Sequence, residues 1–342
     1  MTAFEQLAQL TQSPGPTGFE GPAAKTAAEL LRPLADEVWT DTMGSVLGVK
    51  RCGKAGAKKI LLDAHLDEVG LIVTGHDRGY LRFSTLGGID PRILPNREVT
   101  VLTAPPLTGI VVGALPEDSD KAAAMSDLRI DVGLSQQEAQ ARIPVGTPVA
   151  YRESTFHLGE TCVAGKSLDD RSCFYLLLRT LELLRERELD VDVYVLGSVG
   201  EEVDSRGAIT ATYGVAPDCA VAVDVTFGSS ADCSGDECFP LGSGPVIGVG
   251  PNIAQWMFRR MKDKAEAEKI PYSVEVMAGS TGTNGWDIQI LREGIPTAIL
   301  SLPLRYMHTP LEVIDLGDVE QCSRLLAAFV ERIGEEALSC GN

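Results

Sequence analysis

A chain of 342 residues is long enough for about two domains, and 44% hydrophobic with 23% charged residues suits a globular protein that buries a full core. Its 48 acidic and 30 basic residues leave a formal net charge of −18. That excludes nucleic acid and an anionic membrane as main partners, because both reward clustered Lys and Arg. No apolar run approaches the roughly 20 residues that cross a bilayer. The opening MTAFEQLAQLTQS lacks the basic start and apolar core of a secretory leader. Cysteines at 52, 162, 173, 219, 233, 238, 322 and 340 include no CxxC pair. They are expected to be reduced thiols in a cytoplasmic protein, Cys233 and Cys238 included.

In chain order, FEQLAQLTQS predicts a helix, SPGPTGFEGP a turn, and AAKTAAELLRPLA a second helix. KKILLDAHL (58–66) reads as a buried strand. From about Gly70 to Glu160 the texture changes to short β-type runs (LIVTG, LRFSTL, EVTVL, TGIVVGAL, TPVAYRE) broken by Gly, Pro and Asp, the pattern of a small barrel. After Cys162 strands and helices alternate. SCFYLLLRTLELLRERE and IAQWMFRRMKDKAEAEK read as helices, and VDVYVLGSV (191–199), CAVAVDV (219–225) and PTAILSL (296–302) as strands. The expected fold class is α/β, a mostly parallel sheet sandwiched by helices. Residues 1–69 and 161–342 would form the catalytic domain and 70–160 an inserted β-rich, barrel-like one.

Functional groups in open α/β sheets gather beyond the carboxyl ends of the strands. Just past the apolar runs stand His65 and Asp67 in AHLDEVG, Glu201 and Glu202 in GSVGEEVDSRGA, Asp224 in CAVAVDVT and His308 in RYMHTP. Asp169 and Asp170 precede a predicted helix. Each has a structural account by itself: an aspartate caps a helix, and paired glutamates suit a helix start. A divalent-metal site explains them all with one cause. His65, Asp169, Glu202, Asp224 and His308 offer two imidazoles and three carboxylates, a donor set that zinc, cobalt or manganese accepts. Two ions about 3.5–4 Å apart need a carboxylate between them, and the set can spare one. If Asp67 lies two positions along an extended strand from His65, it faces the same side and buttresses that imidazole. Glu201 cannot point the same way as Glu202 on a strand, which leaves it for the attacking water as general base.

AHLDEVGLIV, GGIDPR, DLRIDVG, KSLDDRSC, GEEVDSRGA, VAVDVT and LREGIPTAILSLPLRYMHTPLEV, in this order, resemble the glutamyl aminopeptidase family of dinuclear metallopeptidases, which includes the tetrahedral aminopeptidases. The resemblance runs over essentially the whole chain. It implies release of N-terminal residues from peptides with a free N-terminus, on a phosphorylase/hydrolase-like fold. It further implies Asp169 as the bridging ligand, His65 and Asp224 completing one metal site, Glu202 and His308 the other, Glu201 as base and Asp67 as partner of His65. Two divalent ions per subunit, zinc or cobalt as a rule, and homo-oligomers from dimers to dodecameric shells belong to the same implication.

One position departs from the pattern. Where relatives often read GTDA, this chain reads GTNGWD, with Asn284 in place of an aspartate. The change either reshapes the substrate pocket or is drift in a turn. Related dinuclear deacylases and carboxypeptidases are the nearest rival readings. Endoglucanase activity, sometimes attributed to this family, is opposed by the two histidines, since glycosidases work with two carboxyl groups and no metal. The preferred first residue is not legible, although AGSTGTNGWD and SSADCSGDECFPLG are expected to help form its pocket.

Overall fold

The computed structural model describes residues 1–113, 124–231 and 233–335. An eight-stranded mixed sheet lies at its centre. Its middle is parallel and consists of β1 (Lys58–His65), β2 (Val191–Ser198), β3 (Cys219–Phe227) and β4 (Thr297–Leu304), in spatial order β2-β1-β3-β4. Val46–Lys50 pairs antiparallel with β2, and Val246–Val249 antiparallel with β4. The register sets Ser198 opposite His65, and Ala222 opposite Asp63. Whatever follows His65, Ser198 and Asp224 therefore leaves the sheet at one edge.

These strands are apolar on both faces because both faces are covered. Ile60, Leu62 and Ala64 of β1 join a core built with the helices Ala3–Gln12, Leu168–Leu183, Gln255–Ala267 and Leu316–Val330, while Leu61 faces Arg206–Val215 and Gly285–Ile288. The 206–215 helix was not legible from RGAITATYGV, whose β-branched residues and glycines lower its helical signal. Gly207 explains part of the sequence there: a Cβ would stand 2.4 Å from the carbonyl oxygen of Val199. The helix expected in AAKTAAELLRPLA ends at Leu31, ahead of Pro33.

After β1 the chain closes a six-stranded barrel, in spatial order Gly70–Asp77, Tyr80–Leu86, Leu128–Asp131, Leu107–Gly113, Glu98–Val101 and Pro148–Tyr151. Leu71, Leu81, Val99, Val111, Ile130 and Val149 fill its interior. The last two residues of the expected TGIVVGAL strand lie outside the described residues. A separate three-stranded sheet pairs Cys162–Gly165 with Phe156–Leu158 and with Glu312–Asp315. Among the described residues no helix is long and apolar enough to cross a membrane.

The expectation of free thiols fails at one place: Cys233 and Cys238 form a disulfide. A turn in which the Cys238 N–H donates to the Gly235 carbonyl brings the two α-carbons to 6.1 Å, within bridging range. Cys52, Cys162, Cys173, Cys219 and Cys322 are free, and Cys340 lies outside the described residues.

A buried charge network fixes the end of β1 to the N-terminal helix. Arg171 is fully buried; its guanidinium donates to the carbonyls of Leu66 (2.9 Å), Leu10 (2.8 Å) and Ser13, and to Glu68 Oε1 at 3.3 Å. Glu68 also accepts from Gly15 N–H, Lys166 Nζ and Ser167 Oγ. Burial alone would raise the Glu68 pKa, but Lys166 and Arg171 hold it below the ordinary value. Loss of Arg171 would leave Glu68 to Lys166 alone and take the donor from the buried Leu66, Leu10 and Ser13 carbonyls, at a cost of about 3–5 kcal/mol. Arg171→Met is expected to lower stability by about that much, read as a fall in the urea midpoint; a midpoint unchanged from wild type would show that the network is dispensable.

Candidate active site

The site is built where β1, β2 and β3 end. Asp67 lies just beyond β1 rather than on an extended strand, and Glu201 and Glu202 open the short helix α1 (Glu201–Asp204) rather than continuing β2. Gly200 makes the turn with φ +74. The Asp67 carboxylate receives that helix start, Oδ1 accepting the N–H of Glu201 at 3.1 Å and Oδ2 that of Glu202 at 3.2 Å. Asp67 Oδ1 also lies 3.4 Å from His65 Nδ1. Burial opposes ionisation of Asp67, but His65 and the two N–H groups outweigh it and keep its pKa below the ordinary value.

The seven expected residues converge. Ligand atoms of His65, Asp169 and Asp224 lie within 4.8 Å of one another, as do those of Asp169, Glu202 and His308. Asp169 belongs to both groups: Oδ1 is 3.1 Å from His65 Nε2 and Oδ2 3.4 Å from His308 Nε2. Glu202 Oε2 is 3.4 Å from His308 Nε2, and Glu201 Oε2 is 4.0 Å from His65 Nε2. The adjacent glutamates thus diverge as expected, although the cause is helical rather than strand geometry. Both imidazoles are held by their other nitrogen. His65 Nδ1 lies 3.2 Å from the Asp67 carbonyl, and His308 Nδ1 2.8 Å from that of Gly88, in the segment between two barrel strands. In each case Nε2 faces the carboxylates, the orientation a metal-binding histidine needs.

The electrostatics are those of a site short of positive charge. The cleft, about 340 Å³, is lined by His65, Asp169, Glu201, Glu202, Asp224 and His308 together with Gly88, Val225, Gly282 and Met307, and among the described residues by no Lys or Arg. Burial, reinforced by neighbouring carboxylates, pushes Glu201 up to about 7, Glu202 up to about 8 and Asp224 well above the ordinary range. Burial opposes the charging of His308, yet Asp169 and Glu202 raise it to about 10. The imidazolium protons supply positive charge that a cation bound there would replace.

Three supporting residues were given no role in the site from the sequence, although Asp170 stood among its candidate groups. Glu312, 2% exposed, spans both groups: Oε2 accepts the Asp169 N–H and Oε1 the His308 N–H, each at 3.0 Å. Its signal was a lone carboxylate four residues after His308. Asp170 accepts the His65 N–H at 3.1 Å, turned away from the cleft. Gly88, in the quoted GGIDPR, acts through its backbone, which residue chemistry does not advertise. Asn284 also points away from the cleft, into the sheet beneath it.

A buried cluster of imidazoles and carboxylates at the strand ends of a helix-covered sheet, with a barrel inserted after the first strand, defines a metallopeptidase of the aminopeptidase class. Residues 44–325 match the model of the M42 glutamyl aminopeptidase family, and the chain belongs to that family. It is an aminopeptidase and hence a hydrolase. It is similar to the lysyl aminopeptidase of Pyrococcus furiosus, with 34% identity covering 97% of this chain and 98% of that protein. Among solved structures it is similar to an aminopeptidase from Desulfurococcus kamchatkensis, with a TM-score of 0.90, 33% identity and coverage of 96% and 94% of the two chains. The Pyrococcus horikoshii TET1 peptidase, described as able to assemble into a tetrahedron or a large octahedral shell, gives a TM-score of 0.84 at 29% identity over 96% and 99% of the chains.

Glu312→Ala is expected to weaken binding of a divalent ion about 10–100-fold, the usual effect of losing an outer-shell partner, measured by zinc titration of the stripped protein. Unchanged affinity would show that Asp169 and His308 keep their places without it.

Proposed function

We propose that the chain removes the N-terminal residue of peptides with two divalent ions per subunit, held by His65, Asp169 and Asp224 on one side and by Asp169, Glu202 and His308 on the other. The carrying observation is the position of Asp169, whose two oxygens face the two imidazoles separately. The donor set fits such ions: three buried or nearly buried carboxylates share a cleft with two imidazoles and, among the described residues, no Lys or Arg. Nitrogen and oxygen donors suit zinc best, with cobalt or manganese also accommodated.

Bound divalent ions supply Lewis acidity and lower the pKa of the attacking water. Glu201 takes the proton from that water and passes it to the departing amine nitrogen. Its carboxylate, 4.0 Å from His65 Nε2 and outside the proposed ligand set, is placed for both transfers. Asp67 is its positioning partner, holding His65 through Nδ1 and Glu201 through its N–H. The free α-amino group of the substrate is attracted to one of the proposed metal sites or to a carboxylate beside it, which restricts cleavage to the chain terminus. A blocked-peptide deacylase or a carboxypeptidase lacks that attraction, and a metal-free endoglucanase has no use for the histidines.

In this reading residues 70–160 act as one inserted unit, which reaches the site through Gly88, and 1–69 with 161–342 carry the chemistry. Assembly into a homo-oligomer, from dimer to dodecamer-sized shell, is supported by the similarity to the TET1 peptidase. A cytoplasmic setting is supported by the five free thiols among the described residues, with the Cys233–Cys238 disulfide counting against it.

Glu201→Gln is expected to retain both ions and to lower kcat by about 10²–10⁴-fold, followed with aminoacyl chromogenic substrates; near-normal kcat would remove Glu201 from proton transfer. His308→Ala is expected to bind one ion fewer per chain by elemental analysis. Full metal content in that variant would take His308 out of the ligand set.

A further inference from the structure

Asn284 sits at the start of the short helix α2 (Gly285–Ile288), 2% exposed. Its Nδ2 donates to Asp63 Oδ2 at 2.8 Å and to Ser198 Oγ at 2.9 Å. Asp63 is 1% exposed and Ser198 fully buried. Neither the metal ligands nor the proposed base accounts for these three groups. Asp63 stands on β1 two residues before His65. Ser198, opposite His65, stands on β2 three residues before Glu201. Two residues before Asn284, Gly282 forms part of the cleft wall. One amide therefore joins the Gly-rich loop 279–284 to both strands whose ends carry His65, Glu201 and Glu202. The start of the loop is tied separately, Asn252 Nδ2 donating to the Gly279 carbonyl at 2.8 Å.

We propose that Asn284 is a positioning residue for the substrate: its amide clamps the end of the loop to β1 and β2, so that the wall at Gly282 meets the first residue of the peptide in a fixed place. In this chain Asp63 supplies the carboxylate of the clamp and the Asn284 amide supplies the donor. An ionised carboxylate only accepts hydrogen bonds, so the group facing it must donate. An aspartate at 284 would remove the Nδ2 that donates to both Asp63 Oδ2 and Ser198 Oγ and set a second carboxyl group in its place. Alanine would leave Asp63 without its bond to the loop. Among the described residues Asp63 Oδ1 and Asn284 Oδ1 have no hydrogen-bond partner, so the Asp63–Asn284 link runs through the single amide nitrogen. The Asn284 side chain points away from the cleft, which makes its effect indirect, through the wall.

The inference rests on the aminopeptidase reading of the cleft. The test compares Asn284→Asp, Asn284→Ala and the exchange Asp63→Asn/Asn284→Asp in the full-length, metal-loaded protein. The aminoacyl chromogenic substrate is the one wild type cleaves best, and metal content and melting are measured alongside. Both single variants are expected to raise KM about tenfold with metal content unchanged, a loss in keeping with a substrate misplaced by a fraction of an ångström. The exchange restores one amide and one carboxylate with their places swapped, and is expected to return KM to within about threefold of wild type. Asn284→Ala carries the test if Asn284→Asp fails to fold. KM within twofold of wild type in the folded single variants would overturn the proposal, as would an exchange no better than Asn284→Asp. A merely structural role would lower melting and active fraction while leaving KM in place, and would also overturn it. Failure of the aminopeptidase reading would show differently, as a wild type that releases nothing.

Discussion

The site depends on buried negative charge with no fixed cation to meet it. Asp169, Glu202 and Asp224 converge at the strand ends beside Glu201, and no Lys or Arg among the described residues lines their cleft. Placing carboxylates together in a poorly solvated site is unfavourable, and the upward shifts of Glu201, Glu202 and Asp224 are the expression of that cost. Much of the surrounding structure holds these groups in place against their repulsion. Asp67 fixes the start of the helix carrying both glutamates. Glu312 fixes the backbones of Asp169 and His308. Each carboxylate in this outer layer accepts backbone N–H groups, so it holds the inner layer without competing for a cation.

The scaffold delivers those groups by register. β1 and β2 end level, His65 opposite Ser198, and β3 runs beside them. The strands are apolar because helices cover both sides, and that packing makes their ends a rigid rim. The barrel adds one direct element, the Gly88 carbonyl that orients His308. A loop on the inserted barrel thereby turns an imidazole carried by the segment after β4.

The central strands were legible because buried parallel strands read as short apolar runs bounded by polar turns, as in KKILLDAHL and CAVAVDV. The residues that meet in the cleft were legible for the same reason: an ionisable group just past such a run has one edge of the sheet to occupy. Local geometry was less legible. Asp67 and the paired glutamates lie outside the strands, so alternation did not apply to them, and their divergence arises from a helix start. Glu312 escaped notice because a carboxylate that binds only backbone looks like any other in sequence. The Cys233–Cys238 bridge depends on a turn whose shape composition does not encode. Asn284 stood out as a departure in a Gly-rich loop, but its partners Asp63 and Ser198 are 221 and 86 positions away, joined to it only by the fold.

The central claim, that this carboxylate-rich cleft works by holding two divalent ions, is tested most directly by elemental analysis of the purified protein coupled to aminoacyl-substrate hydrolysis before and after chelation. The account predicts two ions per chain and release of the first residue that stops on chelation and returns when the metal is restored. No metal bound after incubation with zinc, cobalt or manganese, or hydrolysis untouched by chelation, would contradict it.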